Sequence, residues 1–246
     1  MSGRGDGARP ASRVPLAPAV RRWVTALAVR TLVRSYLRVR VEGRHHLPAG
    51  PAVLCFSHQN WADPFILIAA LPLRPWLFFF GPKEEDMGRG LRNRLISWSG
   101  MAVPYRPGKD DLLGATRRAA AILAAGGRLA IAGEGRIHAG ERVLLPLSDG
   151  CAYFALHSGV PLVPVAINGT GWLAFGRTVR VRIGEPILPE GRPSRRQVDE
   201  LTGRLARALG ALVADFPDRP PPGPFGRWLT ELFNEWPEGM RPGPAG

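Results

Sequence analysis

Lysine is almost missing from this 246-residue chain. Of its 33 basic residues only Lys83 and Lys109 are lysine, and the rest are arginine. Cysteine is equally scarce. Cys55 and Cys151 both lie in apolar surroundings, which excludes a Cys-x-x-Cys metal or redox site, counts against a disulfide framework, and suits a reducing, cytoplasmic compartment. No segment reaches the roughly 18 to 20 consecutive apolar residues that span a bilayer. The stretch from Gly150 to Gly176 is uncharged, yet His157, Pro161, Pro164 and several glycines break it into helix, turn and strand. The first 18 residues, rich in Gly, Pro, Arg and Ser, lack the apolar centre of a secretory signal. The chain also has no Gly-x-Ser-x-Gly nucleophile elbow, no Walker A loop, no Gly-x-Gly-x-x-Gly and no His-Glu-x-x-His. These absences count against serine hydrolase, nucleotide-binding and zinc chemistry; no metal or cofactor is expected. No aromatic RNA-binding signature accompanies the arginines, so nucleic acid is not the expected partner.

What remains is a globular composition, with 45% hydrophobic residues and a mean hydropathy of -0.05. Thirty glycines and 25 prolines promise many turns. The formal charge is +13, and residues 1–50 hold ten arginines against Asp6 and Glu42. A basic end of this kind suits a polyanion, either nucleic acid or an anionic membrane face.

Residues 1–17 read as a disordered basic tail. From Ala19 to Arg38 the pattern is helical, with Arg22, Arg30, Arg34 and Arg38 recurring at multiples of four and Trp23 and Tyr36 among the apolar positions. Such a helix is either an interfacial anchor or a packed helix with solvated arginines. Strands are expected over Leu37–Glu42, Ala52–Phe56, Trp76–Phe80, Met101–Pro104, Arg128–Ala132, Pro161–Ile167 and Val179–Ile183. Helices are expected from Asp63-Pro64, over Met87–Trp98, Asp110–Ala125, Gly150–Ser158 and Ser194–Asp215. Strands alternating with helices imply a single α/β domain with a mixed, mostly parallel central sheet flanked by helices. The expected organisation is a tail over 1–17, an amphipathic membrane-surface helix over 18–40, the main domain over 41–216, and a proline-rich linker with a short aromatic helix over 217–246. That last helix, carrying Phe225, Trp228, Leu229, Leu232, Phe233 and Trp236, either caps the core or touches membrane.

The run Cys55-Phe56-Ser57-His58-Gln59-Asn60-Trp61-Ala62-Asp63-Pro64 carries the chemistry. It sets a histidine just after an apolar strand and an aspartate five residues on, at a helix start where Asp serves as cap and Pro opens the first turn. On one straight helix residues five apart point about 140° apart. They meet only if a turn intervenes, and the strand-to-helix transition supplies one. A neutral imidazole with an ordinary pKa of about 6.5 is a useful general base, and a carboxylate on its other nitrogen fixes the tautomer.

Four further segments follow in order: Lys83; Gly100-Met101-Ala102-Val103-Pro104-Tyr105-Arg106; Ala132-Gly133-Glu134-Gly135-Arg136; and Val163-Pro164-Val165-Ala166-Ile167. With Ser57-His58…Asp63 they resemble the blocks of the glycerolipid acyltransferase family, of the 1-acyl-glycerol-3-phosphate acyltransferase type, over roughly Val41 to Ile187. Three positions depart from that pattern. Ser57 stands for Asn, Ala132-Gly133 for Phe-Pro, and Arg136 for Thr-Arg, the last similar to the acyltransferase halves of some bacterial lysophospholipid-reacylating enzymes.

The resemblance implies a peripheral enzyme on the cytoplasmic face of the cell membrane. It would move a fatty acyl group from acyl-CoA or acyl carrier protein to the hydroxyl of a lysophospholipid. His58 would be the general base and Asp63 its orienting partner. Lys83, Arg106 and Arg136 suit the acceptor phosphate, since a guanidinium grips phosphate oxygens with two bonds. Glu134 would position an arginine or a glycerol hydroxyl, Gly135 would permit close approach, and Pro164 would shape the strand beside the acyl path. Other readings are an acyltransferase for an amino-lipid or glycolipid acceptor, a non-catalytic basic protein binding lipid or nucleic acid, and an esterase.

Overall fold

The computed structural model describes residues 19–81, 94, 97–104, 111–138, 140–191, 193–218 and 220–234. Lys83, Arg106, the tail over 1–17 and most of the helix expected over Met87–Trp98 lie outside the described residues. Seven strands form one sheet: β1 (Arg38–Glu42), β2 (Ala52–Phe56), β3 (Leu77–Phe80), β4 (Ala102–Val103), β5 (Arg128–Ala132), β6 (Leu162–Asn168) and β7 (Thr178–Ile183). Their order is β1-β7-β6-β2-β5-β3-β4. The five strands from β6 to β4 run parallel, β7 runs against β6, and β1 runs with β7. The sheet is therefore mixed and mostly parallel, as the alternation of elements implies.

Burial patterns explain the placement. β2 is Ala-Val-Leu-Cys-Phe, buried at every residue, because a central parallel strand is covered on both faces. Val53 and Cys55 enter one core, and Ala52, Leu54 and Phe56 the other. β7 alternates instead: Val179, Val181 and Ile183 point into the core while Arg180 and Arg182 turn away.

Helices α1 (Ala19–Tyr36) and α2 (Asp63–Ala70) cover one face. The other face carries α3 (Asp111–Ala124), α4 (Gly150–Ser158) and α5 (Arg195–Val213). α5 buries Val198, Leu201, Leu205, Leu209 and Val213 at three- and four-residue spacing, and Ser194 caps it by accepting the Gln197 N–H. The last helix, α6 (Pro224–Phe233), docks through Gly226 and Thr230, whose hydroxyl accepts the Leu173 N–H at 2.9 Å. Its stripe of Phe225, Trp228 and Leu232 faces outward.

The arginines of α1 are not simply solvated: Arg22 is buried and Arg30 half-buried, while Arg21 and Arg34 stay exposed. Arg30 and Arg34 donate to the carbonyls of Ala69 and Leu71, and Arg44 reaches Ala70 at 3.4 Å. These are the carbonyls that the end of α2 leaves without helical partners, at the negative end of its dipole. Arg22 is buried, its guanidinium over the rings of Trp76 and Phe78. Burial and the neighbouring Arg74 pull its pKa below the ordinary arginine value. The exposed residues of α1 include apolar Val20, Val24, Leu27 and Leu32, with Trp23 at their border, beside exposed Arg21 and Arg34. The helix ends at Tyr36, so the last residues of the 18–40 span belong to β1.

Candidate active site

β2 lies between β5 and β6. The chain leaves β2 through α2 toward β3 on one side, and leaves β5 through α4 on the opposite face to reach β6 on the other side. Connections that part in this way open a crevice at the carboxyl ends of the strands. His58 follows β2 at that edge, Glu134 follows β5, and Asn168 ends β6.

The structure brings His58 and Asp63 together, with Nδ1 and Oδ2 2.9 Å apart. The turn between them has a simple cause. Asp63 does not cap its own helix, whose cap position is Ala62 without a side-chain bond. Its Oδ2 turns back to accept the N–H groups of Gln59 at 2.8 Å and Asn60 at 2.9 Å. Three donors thus converge on one carboxylate oxygen, at the positive end of the α2 dipole. The Asp63 side chain is fully buried while the imidazole keeps 17% of its surface exposed. An imidazole so held donates from Nδ1 and leaves Nε2 with a lone pair, able to take a proton from an alcohol.

Glu134 lies beside His58 but not in the expected posture. Its side chain is fully buried. Oε2 accepts the His58 N–H at 3.0 Å, Oε1 accepts the Leu145 N–H at 3.0 Å, and His138 Nε2 stands 2.8 Å from Oε1. The carboxylate therefore accepts main-chain N–H groups from two other segments, one of them that of His58 itself. Gly135, at φ 67°, makes the left-handed turn after it, and Arg136 is exposed one residue further. Pro164 is buried within β6 in register with Cys55, against Gly184 and Leu212 on the α5 side. That places it within the sheet, away from the strand ends. Lys83 and Arg106, outside the described residues, add nothing to this geometry.

Two departures from the family pattern have local causes. Ser57 accepts the Ile167 N–H through its hydroxyl at 2.9 Å, tying the end of β2 to β6. At Gly133 a Cβ would meet Cys55 Sγ at 2.5 Å, so a larger residue would have to push the β2 side chain aside.

Sequence reasoning missed Gln59, Asn234, His138 and Glu141. Gln59 donates to the Gly140 carbonyl at 3.1 Å, and Asn234, after α6, accepts the Trp61 N–H at 3.0 Å inside the His58–Asp63 turn. Glu134 and His138 lie in a turn rather than a helix, so their spacing gave no signal for that pair.

Glu141 is buried and accepts from Asn168 Nδ2 at 2.8 Å and the Gly169 N–H at 2.9 Å. Burial raises its pKa to about 7 against the lowering bond from Gly169, with the Asp63 charge adding to the rise. The native state then holds this proton up to a higher pH than the unfolded chain does. The carboxyl's contribution to stability falls as pH rises from the ordinary 4.5 through about 7, by about 3 kcal/mol in all. Glu141→Gln, which stays neutral, is expected to flatten the pH dependence of the urea midpoint between about pH 5 and pH 8 and to raise it at the alkaline end. An unchanged slope would show that Glu141 ionises normally.

An α/β domain with an imidazole–carboxylate pair at the carboxyl edge of its central strand is the class these features define. A model of the acyltransferase family matches residues 38–168, a span that contains the His58–Asp63 turn, Glu134 and β6. The chain belongs to the acyltransferase family. Its fold is similar to the crystal structure of the 1-acyl-sn-glycerophosphate (LPA) acyltransferase, PlsC, from Thermotoga maritima, at a TM-score of 0.61 and 20% sequence identity, covering 84% of this chain and 86% of that one.

Proposed function

We propose that this acyltransferase moves a fatty acyl group from a thioester, acyl-CoA or acyl carrier protein, to the free hydroxyl of a lysophospholipid, with 1-acyl-glycerol-3-phosphate the first acceptor to test. The observation that carries the reading is the 2.9 Å contact between His58 Nδ1 and Asp63 Oδ2, with the imidazole still reaching the surface.

In the proposed reaction His58 Nε2 takes the proton of the acceptor hydroxyl as its oxygen bonds to the thioester carbonyl carbon. Asp63 stabilises the imidazolium that forms. As the carbon–sulfur bond breaks, the imidazolium returns the proton to the departing thiolate, so an ester and a thiol leave and the enzyme is unchanged. Arg136, with Arg106 and Lys83, would hold the acceptor phosphate. The replacement of Phe-Pro by Ala132-Gly133 and of Thr-Arg by Arg136 favours a second reading, in which the same chemistry serves another lyso-acceptor such as an amino-lipid or glycolipid. Purified protein, labelled acyl-CoA and a panel of lysolipids, read by product mass, tests both. An acylated lysolipid supports the proposal; free fatty acid alone would point to an esterase.

Such an acceptor is carried in a bilayer. No described helix is long and apolar enough to cross one. The outward apolar residues of α1, on an arginine-rich chain, support peripheral contact with an anionic surface. Val24 and Leu27 are each 52% exposed, so Val24→Asp with Leu27→Asp leaves the packed face of α1 alone. Each lost apolar side chain forfeits up to about 1.5–3 kcal/mol of burial. Flotation with phosphatidylglycerol vesicles is expected to show at least about a tenfold fall in bound protein. Equal binding would remove α1 from the contact.

A further inference from the structure

The turn between His58 and Asp63 satisfies almost all of its own donors. Asp63 Oδ2 accepts the N–H groups of Gln59 and Asn60. Asn60 Oδ1 accepts the Ala62 N–H at 2.9 Å, and the Asn60 carbonyl accepts the Asp63 N–H at 3.0 Å. Of residues 59–63 only Trp61 sends its N–H to another part of the chain. Its acceptor is Asn234 Oδ1 at 3.0 Å, 173 positions further on.

Asn234 reaches this turn because α6 is docked beside it. Gly226, Thr230 and Asn234, at four-residue spacing, are buried, while Phe225, Trp228 and Leu232 face out. At Gly226 a Cβ would meet the Leu173 carbonyl oxygen at 2.7 Å, so a larger residue would push the helix away. Thr230 is completely buried, and its hydroxyl donates to the Gly226 carbonyl at 2.7 Å while it accepts the Leu173 N–H. Leu173 belongs to the segment after β6, the strand that neighbours β2. Asn234 is the C-cap residue of α6 and only 4% exposed. Its Nδ2 is buried without a partner, so among the described residues the amide makes the one bond to Trp61.

Without that oxygen the Trp61 N–H loses its acceptor in the protein, and the middle of the turn is free to shift. Gln59 and Asn60, which share Asp63 with the imidazole, precede Trp61 directly, and His58 precedes them. A misplacement of about 1 Å in a reacting group is costly.

We propose that Asn234 is a positioning residue for acyl transfer: its Oδ1 tethers the His58–Asp63 turn at Trp61 to the docked helix α6, so that the base stays aligned on its carboxylate. It acts through the turn and not on the substrate. The inference rests on the proposed role of His58, so its test includes a reading that needs no substrate.

Two variants of similar size separate the bond from mere bulk. Leucine has no acceptor. Aspartate keeps one, with or without its proton, and replaces only the unpartnered Nδ2. Asn234→Leu is expected to lower kcat about 10- to 100-fold with little change in KM for either substrate, and Asn234→Asp to restore most of the rate. Amide hydrogen exchange of Trp61 should quicken at least tenfold in the Leu variant and stay slow in the Asp variant, while amides in β7 keep their wild-type rates. Unaltered Trp61 exchange in Asn234→Leu would overturn the proposal, as would an Asp variant no better than Leu. Faster exchange with a wild-type kcat would overturn it too, since the tether would then not position the base. If the wild type acylates no lysolipid, the functional reading fails, yet the exchange result still decides whether Asn234 holds the turn. Should the Leu variant fail to fold, the wild type decides: its Trp61 amide must exchange at least about 100-fold more slowly than an open chain, and an unprotected one refutes the tether.

Discussion

His58→Ala is expected to lower acyl transfer by about 100- to 10,000-fold, the usual range for a lost general base. The protein should meanwhile stay folded. The bonds that place this residue in the fold are mostly main-chain: its N–H to Glu134 and its carbonyl from the N–H of His138. Alanine keeps both. What disappears is a partly exposed ring whose edge meets Phe56 with centroids 5.6 Å apart. Asp63 loses one donor of three and keeps the N–H groups of Gln59 and Asn60. The thermal midpoint should therefore move by no more than a few degrees while product formation from acyl-CoA and lysolipid collapses. Binding to anionic vesicles should persist, because the apolar face of α1 is untouched. A variant that transfers acyl groups at the wild-type rate would remove His58 from the chemistry. Wild-type protein that binds lipid and never turns over would favour the non-catalytic reading.

The parts of this structure legible in the sequence are those whose cause is local. Ala52–Phe56, Arg128–Ala132 and Gly150–Ser158 have the predicted bounds because each is an apolar run closed by Gly, Pro, Ser or His. The proximity of His58 and Asp63 was legible for the same reason, since a strand that ends and a helix that begins leave only a turn between them. Direction was not legible. The arginines of α1 recur on one face, and composition alone sends such a face to water. Only the tertiary placement of α2, whose last carbonyls need donors, draws the guanidinium groups of Arg30 and Arg34 onto it, with Arg34 still exposed. The aromatic stripe of α6 has the spacing of a buried face, yet Gly226 and Thr230 make the close contact and the rings point out. Glu134 was marked by its block, but not its partners. His138 reaches it along a single turn, while the His58 and Leu145 N–H groups arrive from other segments, and no local pattern announces that meeting.

The fold also bears on how Asp63 should be tested. Asp63→Ala strands three donors, the N–H groups of Gln59 and Asn60 and the ring Nδ1–H of His58, in a site with no exposed surface on the aspartate. Each unsatisfied buried donor costs about 1–3 kcal/mol, so this variant should lose several kcal/mol of stability along with its activity. Asp63→Asn is the more informative change. A histidine partner amide can often flip, offering its NH2 to the ring and enforcing the wrong tautomer. Here two backbone N–H groups point at the same atom that faces Nδ1, and a flip would set the NH2 against both. The amide oxygen is held in place, the tautomer is kept, and only the charge is lost. The difference between a charge-assisted and a neutral hydrogen bond, about 1–2 kcal/mol, corresponds to about a 5- to 30-fold fall in kcat/KM. Asp63→Asn should therefore lie between the wild type and His58→Ala in rate, with a thermal midpoint nearer the wild type than Asp63→Ala. An Asn variant as inactive as His58→Ala would show that the amide flips despite the backbone donors. One as active as the wild type would show that orientation, without charge, is all that the carboxylate supplies.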